Sequence, residues 1–84
     1  MSFQLTIVTP TGKVYEDKVD SLFAPGLLGG FEVYPNHEAI LSALSDGKIR
    51  VRKDGKEDVF TTASGILEVK PDHQVLVLVD QATR

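Results

Sequence analysis

Apolar and polar residues alternate along most of this chain, and turn-forming residues cut the alternation at short intervals. Phe3, Leu5 and Ile7 alternate with Gln4 and Thr6. Successive side chains on an extended strand point to opposite faces, so this pattern gives a strand one buried and one exposed face. Ile49 and Val51 alternate in the same way with Lys48, Arg50 and Arg52. Asp54-Gly55 then separates that run from Glu57–Thr62, and an Asp-Gly pair between alternating segments is a strong hairpin signal because both central residues need positive φ. Pro71-Asp72-His73 marks another turn, between Ile66–Lys70 and Gln74–Val79. Thr11-Gly12 precedes a longer run, Lys13–Ala24, whose apolar phase changes around Asp17-Lys18 and predicts a bulge or break there. Short strands spaced by about 8–12 residues predict an all-β fold, a two-layer, mainly antiparallel β-sandwich or small barrel.

With 84 residues there is room for one domain, and 42% hydrophobic residues supply one core. The absence of cysteine excludes disulfides, thiolate nucleophiles and sulfur-ligated zinc. A net charge of −3 argues against nucleic acid as the main partner, since phosphate neutralisation needs a basic surface. The longest apolar stretch, Val75–Val79, is far short of the ~20 residues that span a bilayer, and no secretory signal pattern opens the chain. The sequence reads as a soluble domain whose membrane link runs through a partner.

The densest information lies in Gly29–Leu44. Gly29-Gly30 forms a corner, Phe31–Tyr34 a short strand, and Pro35-Asn36-His37 a second corner before apolar residues resume. Asn36–Ser45 admits two readings: a helix capped by Asn36, with Ile40, Ala43 and Leu44 on one face, or a buried strand ended by Asp46-Gly47. His37-Glu38 sets a histidine beside a carboxylate, but neighbours on a strand diverge and a metal site needs three or four ligands. His37 therefore reads as a surface or partner contact and His73 as a turn residue. Gly26–Gly30 lacks the helix that a phosphate-binding loop must open, so its glycines read as turn formers. Lys48, Arg50 and Arg52 share a strand face without interleaved aromatics, which favours a solvated face over a nucleic-acid platform; an unassigned binding module using Lys48–Lys56 is the alternative. Leu27 and Leu28 either fold back on the core or offer an apolar contact. Val75–Val79 fills both faces of a strand, so its outer face must meet a loop or a partner.

The Gly29–Leu44 string resembles the signature of the epsilon subunit of F-type ATP synthases. Three more stretches fall in that family's order: Phe3–Pro10, Gly65–Pro71 and Val79–Arg84. The resemblance implies a flattened sandwich of about ten strands, eight to ten of them expected from this sequence, and a strand rather than a helix over Asn36–Ser45. It further implies a non-catalytic rotor subunit without cofactor or metal, partnered by the gamma subunit and the membrane c-ring. Its place would be the cytoplasmic face of the bacterial inner membrane, with a plastid or other energy-transducing membrane left open.

Carried over residue by residue, the resemblance implies a c-ring contact by Leu27, Leu28, Gly30, Phe31, Glu32 and His37. It implies a gamma contact by Thr9, His37, Ile40 and Ser42. The chain departs from the family where Leu28 and Gly30 replace acids, Glu32 replaces a glycine, and Glu38-Ala39 replaces the usual Ala-Pro. An apolar contact anchored by Leu27 and Leu28, with Glu32 or Glu38 as the charge, is expected in place of two carboxylates. Residues 1–84 are read as a single domain, lacking the helical hairpin that longer members carry after the point matching Arg84. Glu16-Asp17-Lys18 is also similar to the lysine setting of lipoyl and biotinyl carrier domains, but Lys18 comes too early, with only 17 residues before it.

Overall fold

A computed structural model of the chain describes residues 1–84. Ten strands form in chain order: β1 (Phe3–Thr9), β2 (Gly12–Val19), β3 (Ser21–Ala24), β4 (Phe31–Val33), β5 (Ile40–Leu44), β6 (Gly47–Lys53), β7 (Lys56–Thr62), β8 (Gly65–Val69), β9 (Val75–Val79) and β10 (Ala82–Thr83). They make two five-stranded sheets, ordered β2-β1-β9-β8-β5 and β10-β7-β6-β3-β4, called here the first and second sheets. Ile40–Leu44 is strand and no helix forms anywhere. In an edge strand only one face need be apolar, and β5 alternates half-buried and exposed residues before ending on buried Leu44.

The alternation read from the sequence becomes the core. Phe3, Leu5 and Ile7 of the first sheet face Val51 and Phe60 of the second, so these residues meet across the layers and not along one sheet. Val75, Val77 and Val79 point inward with them, as do Leu67 and Val69. Phe60 is fully buried, and the Tyr15 ring meets it edge-on at a centroid distance of 5.4 Å. At the β6–β7 turn both Asp54 and Gly55 take positive φ, 52° and 76°, as the hairpin signal requires.

Pairing is mainly antiparallel, as expected; the exception is β1, which runs parallel to β9 across a long connection. One expectation is corrected. β2 is continuous through Asp17-Lys18, and the irregularity lies at Ile7/Val8, opposite the extra residue Val14. The phase change seen in the sequence instead marks Asp20, where the chain leaves the first sheet and enters the second; Val19, Ser21 and Leu22 are all buried around that corner. Asp20 holds the corner by donating its backbone N–H to the Arg52 carbonyl (2.8 Å), while its carboxylate accepts the Asp54 N–H (3.0 Å). The segment after Val79 forms β10 against β7.

Candidate functional site

The outer faces of the two sheets differ in chemistry. On the second sheet, Arg50 and Arg52 reach Glu57 across the hairpin at 3.4 and 3.8 Å, and Lys48 lies exposed beside them. This is the solvated face that the basic stripe predicted, with its charge offset within the sheet. The outer face of the first sheet carries an apolar row between polar residues. Strand register aligns Val8 with Leu78, Leu78 with Ile66, and Ile66 with Ala43, a row crossing four strands. Leu76 and Leu41 lie in the next row with Thr6 and Glu68. Leu78 and Ile66 keep 39% and 40% of their surface exposed and Leu41 70%, so the face is uncovered. The five-residue apolar run of β9 thus serves both faces: its valines build the core and its leucines build this surface.

The corner loop continues this face. Gly26 forms an isolated antiparallel bridge with Leu44, Leu27 donates its N–H to the Ala43 carbonyl (2.9 Å), and Ser45 donates to Pro25 (2.9 Å). Leu27 therefore stands opposite Ala43, and because Gly26 and its partner Leu44 are buried, alternation turns Leu27 outward. Leu27 is 66% exposed and Leu28 entirely so. Neither folds back on the core.

Of the ring set carried over from the resemblance, Leu27, Leu28, Gly30 and Phe31 line one groove at the corner loop, whereas Glu32 and His37 do not. Gly30 is exposed at the backbone and lies against the Phe23 ring; a Cβ there would come within 2.4 Å of it. Phe31 is half-buried against the core. Glu32 pairs in register with Phe23 on the second sheet and accepts a hydrogen bond from the Tyr34 hydroxyl, which raises the Tyr34 pKa above its ordinary value. His37 lies near the Pro71–His73 turn, at the opposite end of β5 from the loop. Its Nδ1–H donates to the Glu38 carbonyl (2.8 Å), and its own carbonyl accepts from His73 Nδ1 (2.9 Å). Thr9 is 9% exposed, with its hydroxyl on Thr11 and Gly12. Ile40 packs on the core and Ser42 lies on the inward side of β5 beside Leu67. Of the expected gamma set, Thr9, Ile40 and Ser42 thus turn inward, and their outward neighbours Val8, Leu41 and Ala43 carry the exposed surface. The signal for that surface was present in the sequence as the even-numbered leucines of Val75–Val79, but strand order was needed to place Ile66, Ala43 and Leu27 beside them.

No group of three or more His, Cys, Asp or Glu side chains converges. Lys18 sits within β2, opposite Gln4, and not at the hairpin tip that a swinging-arm carrier requires.

What the geometry defines is a small two-layer β-sandwich with an exposed apolar row across one sheet. Residues 2–84 match the family ATP synthase, Delta/Epsilon chain, beta-sandwich domain, and the chain belongs to it. It is 40% identical over 82 residues to the ATP synthase epsilon chain of Anaeromyxobacter sp. (strain K), covering 98% of this chain and 61% of that one. The epsilon chain of Chlorobaculum tepidum is 39% identical over 77 residues, covering 90% of this chain and 88% of that relative. The chain thus spans about three-fifths of the first relative and most of the second. Among solved structures, a chain in the cryo-EM structure of the Euglena gracilis mitochondrial ATP synthase OSCP/F1/c-ring has the same fold, with a TM-score of 0.92 at 20% identity over 98% of this chain and 52% of that one.

Proposed function

We propose that this chain is a non-catalytic rotor subunit of an F-type ATP synthase, joining the gamma subunit to the c-ring and supporting the coupling of ion flow to ATP synthesis. The observation that carries this reading is the partly exposed apolar row Val8–Leu78–Ile66–Ala43 on a small domain of this family. A permanent subunit contact is held by apolar area, and a contiguous exposed apolar row is the kind of surface such a contact uses. The first sheet's outer face is assigned to gamma. The ring-facing rim is assigned to the loop around Leu28 with Phe31 and Glu32, the latter already engaged by Tyr34. His37, at the far end of β5, leaves the ring set. The protein would work on the F1 side of an energy-transducing membrane, which in a bacterium is the cytoplasmic face of the inner membrane.

Affinity-tagged chain expressed in its native host tests the reading: gamma, the catalytic hexamer and c-ring should co-purify, and removing the subunit should lower ATP synthesis per ion translocated. Recovery of the chain free of gamma under mild extraction would refute it.

A further inference from the structure

The loop from Tyr34 to Ala39 carries the chain from β4 in the second sheet to β5 in the first, and little holds it. None of its residues is buried, and its backbone makes no hydrogen bond to the backbone of any other segment. Tyr34 and His37 bond through their side chains to near neighbours, Glu32 and Glu38. The bond that ties the loop to a distant part of the chain comes from His73, in the turn between β8 and β9, whose Nδ1 lies 2.9 Å from the His37 carbonyl oxygen. A carbonyl has no proton to give, so Nδ1 carries it. Strained backbone gathers at the same contact. Apart from Asp54 in its hairpin, the non-glycine residues with positive φ are Asn36 (65°) and His73 (72°), and both line one polar cleft of about 240 Å³. Glycine suits the backbone at His73 better than any side chain does. What histidine adds there is a donor that reaches the loop.

We propose that His73 is a latch, whose Nδ1–H bond to the His37 carbonyl selects one conformation of the Tyr34–Ala39 loop against a released one. Packing does not make that selection, because the loop buries no side chain. Pro35 fixes its own φ and holds Tyr34 extended, which leaves Asn36–Ala39 to the latch. The left-handed backbone of Asn36 favours release, and the His73 bond opposes it. Water competes for this bond, since His73 is exposed, so the bond shifts the balance between the two states by roughly two- to tenfold. The crossing between the sheets is therefore a bistable element, with a minor released state in the free chain. The latch is a property of this chain alone and is independent of the partners assigned above.

NMR of the intact, nitrogen-15-labelled chain tests this without a partner. In the parent, neutral His73 should carry its proton on Nδ1 and leave Nε2 bare, a tautomer that ring nitrogen shifts report directly. In His73→Gly, which removes the imidazole and relaxes the turn backbone, the amide signals of Asn36–Ala39 should move towards random-coil positions. Their order parameters should fall from the rigid value of about 0.85 towards about 0.6, while the amides of β5 and β8 keep theirs. The melting temperature of His73→Gly should match or exceed the parent's, because the strained position is relieved as the latch is lost. That combination separates a latch from a structural prop. A neutral His73 protonated on Nε2 overturns the proposal, and so do unchanged Asn36–Ala39 signals in His73→Gly. A melting temperature several degrees below the parent's also overturns it, by making His73 a support of the turn itself.

Discussion

Lys53, the last residue of β6, places its ammonium 2.5 Å from the Asp17 carboxylate on β2, tying the second sheet to the edge of the first. The Lys53 hydrogen bond, followed by one from the Lys18 N–H, lowers the Asp17 pKa below its ordinary 3.8, and the same contact with Asp17 raises that of Lys53 above 10.5. Both side chains are partly exposed, so the tie is screened and its contribution to stability is small. Its pH signature is nonetheless defined. A lowered carboxylate pKa stabilises the fold above the unfolded value and ceases to do so as pH falls through the folded one. A raised lysine pKa stabilises below its unfolded value and is lost as pH rises through the folded one. Asp17→Asn should therefore melt below the parent between about pH 5 and 9, with the difference closing on both sides, under acid below the ordinary Asp value and under alkali above the ordinary Lys value. Added salt should shrink the difference. Melting curves across pH check this, and a difference that persists at pH 2 would mean that the tie is not ionic.

Arg84 acts at the same open edge. Its guanidinium lies 5.1 Å from the Phe60 ring centroid and 5.5 Å from that of Tyr15, and it pairs with Asp58 at 3.3 Å. It covers the mouth of the core and fixes the two-residue strand β10 to β7. Cation–π contacts at partly exposed sites contribute about 0.5–1 kcal/mol, so Arg84→Ala should lower the melting temperature by roughly 2–8 °C. Arg84→Lys, which keeps the charge but loses the planar stack, should recover only part of that loss.

Much of this architecture was legible because alternation is a local signal. β1, β6 and the Asp54-Gly55 turn follow directly from residue order, and β5 was correctly separated from a helix once the family pattern was included. What could not be read depends on which strands become neighbours. Val19, Ser21 and Leu22 look like a broken phase in one strand until Asp20 is seen to carry the chain between sheets. Ile40 and Ser42 look as available as Leu41 until pairing with β8 shows which parity faces the core. Leu27 looked like a loop residue, and its bond to Ala43 joins segments separated by the whole of β4.

The two faces of β9 provide a sharper check on this parity. Val77 is fully buried between β1 and β8, whereas its neighbour Leu78 is 39% exposed on the outer row. Val77→Ala should cost about 2 kcal/mol through lost burial and the cavity left behind. Leu78→Ala should stay within about 0.5 kcal/mol in the isolated chain, although it deletes more atoms. Chemical denaturation of both variants would decide, and the reverse order of costs would place β9 one residue out of register.

Two glycines separate backbone clashes from side-chain ones. Gly65 opens β8 with its Cα pressed against β9: a Cβ would lie 2.0 Å from the Leu78 carbonyl oxygen and 2.8 Å from the Val79 Cα. Neither atom can retreat without breaking the β8–β9 ladder, in which Gly65 pairs with Val79. Gly30 is as crowded, at 2.4 Å, but its neighbour is the tip of the half-buried Phe23 ring on an outer face, where the side chain has room to swing. Overpacking typically costs about 1–3 kcal/mol and more where the backbone must move, so Gly65→Ala should lower the melting temperature by about 10 °C or more. Gly30→Ala should cost under about 1 kcal/mol. Melting curves of the two alanine variants would test the contrast, and equal losses would show that the Phe23 ring is held as rigidly as the sheet itself.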